Sequence, residues 1–252
     1  MCDLVLQQTG ITVSRAQVST VLRNSMGMRY RRLKATPWHG NSQKSLCLRQ
    51  LYARELIDRL AAGEVVCNVD QTWLPVLDYR RMRWRERGAV NSQPLKKTRP
   101  RVSLIVAIFS TGEVYYCVSL SNTNADTFLL WLTKLTQRLD TDRPGWASTV
   151  LFTLDGAKYH RTAPVREQMA GLGMRVAISG PYQYDVAPVE LYFAQLKQTY
   201  WNKEAMKTGK KTFLNTLRIV KERTEQIKPA NVVMLFHRAV LKAFEQLTFK
   251  HI

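Results

Sequence analysis

Apolar positions follow two rhythms along the chain, and their order predicts a layered α/β domain. Val65 to Asp70, Val102 to Ser110, Val114 to Leu120, Thr149 to Leu154 and Met174 to Ile178 are short apolar runs of strand length, most of them rich in β-branched residues. Thr111-Gly112-Glu113 joins the second and third of them as a hairpin turn would. Arg80 to Arg87 alternates basic residues with Met82 and Trp84, as an exposed ribbon does, and residues 88–100 have the polar, basic composition of a loop. Helical spacing governs the rest. A helix is expected from Gln43 to Ala62, packing through Leu46, Leu51, Leu56, Ile57 and Leu60 and stopped by Gly63. Phe128, Trp131, Leu132, Leu135 and Leu139 mark one face of a helix over Asn124 to Leu139, and Thr162 to Gly171 is another. Pro188 suits a first helical position, with Leu191, Phe193, Leu196 and Tyr200 available for packing. Two more helices are expected near 212–227 and 230–248. Three antiparallel strands followed by parallel strands with helical crossovers predict a mixed sheet covered by helices.

Ahead of this domain the pattern is different. Ser14 and Gln17 form a capping box, Val18, Val21 and Leu22 are an expected inward stripe, and Gly27 ends the unit. A dense basic run follows, with Arg29, Arg31, Arg32 and Lys34. Residues 35–45 contain Pro37, Gly40, Asn41 and Ser42, the composition of a linker. The expected organisation is a partial helix-turn-helix-like segment over 1–34, linker and helix over 35–63, the main domain over 64–205 and a helical extension over 206–252.

Charge narrows the partner. Of 252 residues, 38 are Lys or Arg and 19 are Asp or Glu, a net charge of +19. Such an excess favours a polyanion. No run approaches the ~20 apolar residues of a transmembrane span, and the N-terminus lacks the basic and apolar regions of a signal peptide. Nucleic acid is therefore the expected partner, and no membrane. The outward face of residues 14–23, with Arg15, Gln17, Ser19 and Arg23, is the candidate base-reading surface of a helix-turn-helix. Arg29, Arg31, Arg32 and Lys34, the ribbon residues Arg81, Arg83 and Arg85, and the loop residues Lys96 and Lys97 are candidate phosphate contacts. The four cysteines, Cys2, Cys47, Cys67 and Cys117, lie far apart with no Cys-x-x-Cys pair, which argues against structural zinc and fits a reducing compartment.

Three acids stand out within this frame. Asp70 and Asp155 are expected to end the first and fourth strands, and Glu190 to open the helix at Pro188. Those strands can be neighbours in a mixed sheet, and the helix can cross back to face them. A strand-end Asp also serves as a turn former, and a Glu near a helix start complements the dipole. Converging carboxylates, however, are ligands for two hard cations, Mg²⁺ or Mn²⁺, in phosphoryl transfer.

The three motifs resemble those of DDE transposases of the mariner superfamily, a ribonuclease H-like class. Thirty-four residues separate Asp155 from Glu190, as in that superfamily. Asp155 with His160 resembles its second motif, and Pro181-Tyr182 through Pro188-Val189-Glu190 its third. Gln71, Gly156, Tyr184 and Ala187 depart from frequent family residues, but none replaces a ligand. The wording Asp-Gln-Thr-Trp, Asp-Gly-Ala and Gly-Pro-Tyr is most similar to the telomere-bearing-element transposases of ciliates. The resemblance implies a ribonuclease H-like five-stranded sheet, with Asp70, Asp155 and Glu190 as catalytic residues holding two Mg²⁺ or Mn²⁺ ions. It implies cleavage of double-stranded DNA at transposon ends, strand transfer into target DNA, a homodimer on DNA and, in a eukaryote, nuclear location; in a bacterium, the cytoplasm. His160 is a candidate for positioning substrate. The chain is expected to begin inside the second of the two helix-turn-helix units that such proteins carry. A ribonuclease H-like nuclease without strand transfer, and a non-catalytic DNA-binding derivative, are the alternatives.

Overall fold

Strands β1 (Val65–Leu74), β2 (Val102–Phe109), β3 (Val114–Ser119), β4 (Val150–Leu154) and β5 (Arg175–Ile178) build one mixed sheet in the order β3-β2-β1-β4-β5. The computed structural model of the chain describes residues 2–28, 42–74, 102–119, 123–197 and 212–247. The expected basic ribbon at Arg80–Arg87, Lys96 and Lys97, and the tail with Arg29, Arg31, Arg32 and Lys34, lie outside the described residues, as do Tyr200 and most of the expected linker. β2 pairs antiparallel with β1 and β3, while β4 runs parallel to β1 and β5. The chain reverses from β2 to β3 at Gly112, whose φ of +106° disfavours any side chain; an added Cβ would also stand 2.8 Å from Pro229.

The helices are α3 (Gln43–Ala61), α4 (Ala125–Asp142), α5 (Trp146–Thr149), α6 (Ala163–Gly171), α7 (Pro188–Leu196), α8 (Thr212–Gln226) and α9 (Pro229–Leu247). Alternation along the strands sends side chains to two separate cores. Val66, Leu74, Leu104, Val106 and Ile108 pack with α3, α7, α8 and α9 on one face. Cys67, Val69, Ile105, Ala107, Phe109 and Phe152 pack with α4 and α6 on the other. The α4 stripe is buried as its spacing predicts, through Phe128, Trp131, Leu132, Leu135 and Leu139, and Asn124 caps the helix by accepting from the Thr127 N–H at 2.9 Å. Helix α9 packs on α3 and α7, so both flanking helices belong to the body around the sheet.

Three expectations are corrected. Strand β1 does not end at Asp70. Its antiparallel partner continues the ladder to Leu74 opposite Val102, so the acid lies inside the strand. Leu51 is 66% exposed, because the buried stripe of α3 is Tyr52, Ala53 and Leu56, and Leu51 falls outside it. In the N-terminal unit, Met1–Pro37, the capping box of Ser14 and Gln17 forms on helix α2 (Arg15–Thr20), but Val21 is 51% exposed rather than turned inward. After α2 the backbone passes into a π-helical turn, Val21–Ser25, so the regular helical spacing ends at Val21. Helix α1 (Cys2–Thr9) precedes it without having been expected, and neither these helices nor the turn contains a buried residue.

Candidate active site

Sheet register brings the first two acids together. Val66, Asn68 and Asp70 share one face of β1, and Leu151, Thr153 and then Asp155 follow the same face of β4. Val69 pairs with Leu154, which puts Asp70 and Asp155 one step further along neighbouring parallel strands. Glu190 enters from α7, which packs on that face. All three line one cleft of about 740 Å³, together with Arg161 and the loop from Ser179 to Tyr184.

Helix α7 is held by a residue from β1. Its own N-cap, Ala187, offers no side-chain acceptor, and Pro188 has no N–H. The next donor, Val189 N–H, bonds to Asn68 Oδ1 at 3.0 Å. Asn68 Nδ2 donates to Thr153 Oγ1 at 3.0 Å and to the Thr153 carbonyl at 3.2 Å. One buried amide thus ties β1 to β4 and caps α7 one residue before Glu190. The residue that sets the third acid lies two positions before the first.

The electrostatics are those of crowded carboxylates. Burial pushes the Asp70 carboxyl up from 3.8 to about 7; the Gln71 N–H opposes this, Asp155 and Glu190 add repulsion, and Lys197 draws it back. Burial alone would raise Asp155 as well, but the hydrogen bond and charge of His160, with the Ala157 N–H, outweigh it and hold that carboxyl below its ordinary value. Glu190 is raised by burial, with Lys197 opposing and Asp155 reinforcing. Lys197, just beyond α7, donates to Thr72 Oγ1 on the Asp70 face of β1. Its ammonium is lowered by burial and drawn back up by Glu190 and Asp70. It is a counter-charge to Asp70 and Glu190.

His160 does not line the cleft, contrary to a role in touching substrate. Its ring is 1% exposed, packed 4.5 Å from the Phe128 ring and 4.2 Å from the Tyr159 ring, with Nδ1 2.7 Å from Asp155 Oδ1. Aromatic packing holds the imidazole beneath the acid, so its contact is with Asp155. In the N-terminal unit, Arg15, Gln17 and Arg23 are exposed and Ser19 is half-buried. Gln17 Oε1 accepts from the Ser14 N–H at 2.8 Å and so is engaged in its own helix.

The donor set suits a hard divalent cation, being three carboxylates around one opening. Among the described residues no three His, Cys, Asp or Glu side chains are gathered closely enough to ligate one ion. Sequence reasoning missed Asn68, Lys197 and Gln183, whose Oε1 accepts from the Gly180 N–H at 2.7 Å and whose Nε2 donates to the Arg49 carbonyl at 2.8 Å and to Gln246 Oε1 at 2.7 Å, pinning the cleft loop to α3 and α9. Only Asn68 carried a signal: an amide inside the apolar run Val65–Val69 demands buried partners.

Residues 65–212 match the family model described as DDE superfamily endonuclease. The Mos1 mariner paired-end complex with Mn has a TM-score of 0.73 at 18% identity, over 97% of this chain and 72% of that one. The Mos1 strand transfer complex gives 0.71 at 17%, over 98% and 76%. The catalytic domain of Mos1 mariner transposase gives 0.62 at 15%, over 86% and 96%. The sheet and its flanking helices therefore have the ribonuclease H-like fold of that domain. No curated protein matches the chain by sequence.

Proposed function

The chain belongs to the DDE superfamily endonucleases, and from that premise we propose that it is a DNA transposase, cutting transposon ends with divalent metal and joining them to target DNA. The observation that carries this reading is the convergence of Asp70, Asp155 and Glu190 on one cleft. The Mos1 relatives include a paired-end complex with Mn and a strand transfer complex, and the same substrate and metal class is proposed here. The net charge of +19 supports a DNA partner. The paired ends of those relatives support a homodimer on DNA, and nuclear location is proposed for a eukaryotic source.

Asp70, Asp155 and Glu190 would hold two Mg²⁺ or Mn²⁺ ions, which when bound activate the attacking oxygen and stabilise the leaving one. The chain's own residues prepare that site. Asn68 sets where Glu190 enters. His160 orients the Asp155 carboxylate and keeps it charged. Lys197 offsets the charge of Glu190 and Asp70 until cations arrive. Arg161, in the same cleft, is placed to hold a phosphate of the DNA backbone. Bases would be read by Arg15, Ser19 and Arg23, with the basic tail, ribbon and loop binding phosphates.

The test is cleavage and joining of end-containing DNA with Mn²⁺. Asp70→Ala and Glu190→Ala should abolish both while leaving DNA affinity in EDTA unchanged. Wild-type cleavage rates in either variant would sink the assignment of the acids. Supplying pre-cut ends separates a transposase, which joins them, from a nuclease, which does not.

A further inference from the structure

A second pocket, of about 300 Å³, lies beside the acid cleft and takes no part in the chemistry described so far. Arg161 and Ile178 line both, while Asp155 lines only the cleft and His160 only the pocket. Helix α6 contributes Arg166 and Met169, and the chain entering β5 contributes Met174 and Val176.

The His160 ring stands between the two. Its Nδ1 is 2.7 Å from Asp155 Oδ1. A carboxylate only accepts, so Nδ1 carries the proton and Nε2 of the neutral ring keeps a lone pair. The two nitrogens of an imidazole point in widely different directions, so the one not bonded to Asp155 is turned away from the acid. That Nε2 is buried and has no hydrogen-bond partner among the described residues. Buried polar atoms are nearly always paired, and an orphan calls for a partner. The ring is 1% exposed, and the side chains sharing the pocket with it include two buried thioethers, Met169 and Met174. Methionine rearranges at low cost and makes favourable contacts with aromatic rings.

Charge decides the sign of the occupant. Imidazole and thioether together would suit a soft cation. Arg161 and Arg166, both exposed on the same pocket, oppose one and favour an anion, a carboxylate above all, which a guanidinium binds through two parallel bonds.

We propose that this pocket binds a small aromatic carboxylate that bears a hydroxyl group. Its ring lies on Met169, Met174 and Val176, its carboxylate meets Arg161 and Arg166, and its hydroxyl bonds to His160 Nε2. A hydroxyl both donates and accepts, so it matches that nitrogen with or without a proton. Water alone would satisfy Nε2 and leave the apolar floor and the arginines unused. A DNA phosphate would satisfy the arginines and leave the other two unused. Ligand and Asp155 then hold the two nitrogens of one ring, which places the ligand a single side chain from the acid site without entering it.

The test is calorimetric titration of the full chain, in EDTA and without DNA, with para-hydroxyphenylpropanoate, with phenylpropanoate and with the amide of the first. The hydroxy acid should bind about tenfold tighter than either of the others. In nitrogen NMR the His160 Nε2 resonance, identified by its loss in His160→Phe, should shift with the hydroxy acid and stay in place with phenylpropanoate. His160→Phe should bind the two acids equally. Ala170→Trp, at an exposed position lining the pocket, fills it and should bind none of the three, with thermal unfolding reporting that it folds. Undetectable binding by wild type, equal affinity for the two acids, an unmoved Nε2 resonance or a hydroxyl preference that survives Ala170→Trp each overturns the site. Equal binding of both acids in every variant would mark a general attraction to the net charge of +19 and overturns it too. The wild-type affinities and resonance decide the matter even if a variant fails to fold. No DNA is cut in these titrations, so their outcome is independent of the endonuclease reading.

Discussion

Replacing Asp70 with Asn should stabilise the metal-free protein, and more so as pH rises. Asp70 lies inside β1, where burial, reinforced by Asp155 and Glu190, lifts its carboxyl from 3.8 to about 7. A folded-state pKa above the unfolded one means that the native protein binds this proton more tightly. The associated stability is fully present below the unfolded value and is lost as pH rises through about 7. The full displacement corresponds to about 4 kcal/mol, of which about 3 kcal/mol falls between pH 5 and pH 8. Asn has the same shape and no charge, so Asp70→Asn escapes the loss. Urea unfolding of both proteins in EDTA at the two pH values measures it, because titrating groups remote from the cleft act on both and cancel. The gap in favour of the variant should widen by about 3 kcal/mol from pH 5 to pH 8. Mg²⁺ added at pH 8 should narrow it, since a cation stabilises the ionised wild type. A gap that is the same at both pH values would refute the account of Asp70 as a carboxyl buried at a cost. The same charge that weakens the empty fold is the one a cation requires.

Other outcomes follow from particular contacts. Asn68→Ala leaves the Val189 N–H and the Thr153 groups without their partner and should lower stability by about 2–4 kcal/mol in urea unfolding. In the same variant, Mn²⁺ binding followed by calorimetry should weaken, because Glu190 loses its anchor; unchanged binding would show that α7 is held by packing alone. Gly180→Ala forces a Cβ into the Arg49 backbone and should cost about 1–3 kcal/mol in urea unfolding, with limited proteolysis reporting a displaced loop. Leu132→Ala, at a position with 0% exposure on the far side of the sheet, should cost about 2–5 kcal/mol in thermal unfolding and leave DNA affinity unaltered. DNA affinity should fall steeply and linearly on a log–log plot against salt; a flat response would exclude phosphate contacts as its main source.

Much of the fold was legible because it is written in local periodicity. Strand β4 and helices α4, α6 and α7 fall within a residue or a few of where spacing places them. The capping box at Ser14 was equally readable, since its partners are three residues apart. Leu51 was misread because the α3 stripe depends on which neighbours cover it, and a Leu beside Tyr52 looks equally apolar in the sequence. Asp70 was placed at a strand end because an acid normally interrupts an apolar run. The partner strand that carries the ladder past it lies more than thirty residues away. His160 could be noticed next to Asp155, but the aromatic packing that turns it beneath the acid comes partly from Phe128 on another helix.

The amino-acid sequence by itself determined the order of elements, the basic character and the identity of three acids in recognisable motifs, because these are properties of neighbouring residues and of composition. The tertiary structure decided the rest. It set β1 beside β4 so that Asp70 meets Asp155, let Asn68 cap a helix 121 residues away, put Lys197 among the acids and pinned two tyrosines to the wall of their cleft. Each of these depends on strand register or on a hydrogen bond between segments far apart in the chain. Such pairings are chosen by the packing of the whole sheet and its helices, and no local pattern contains them.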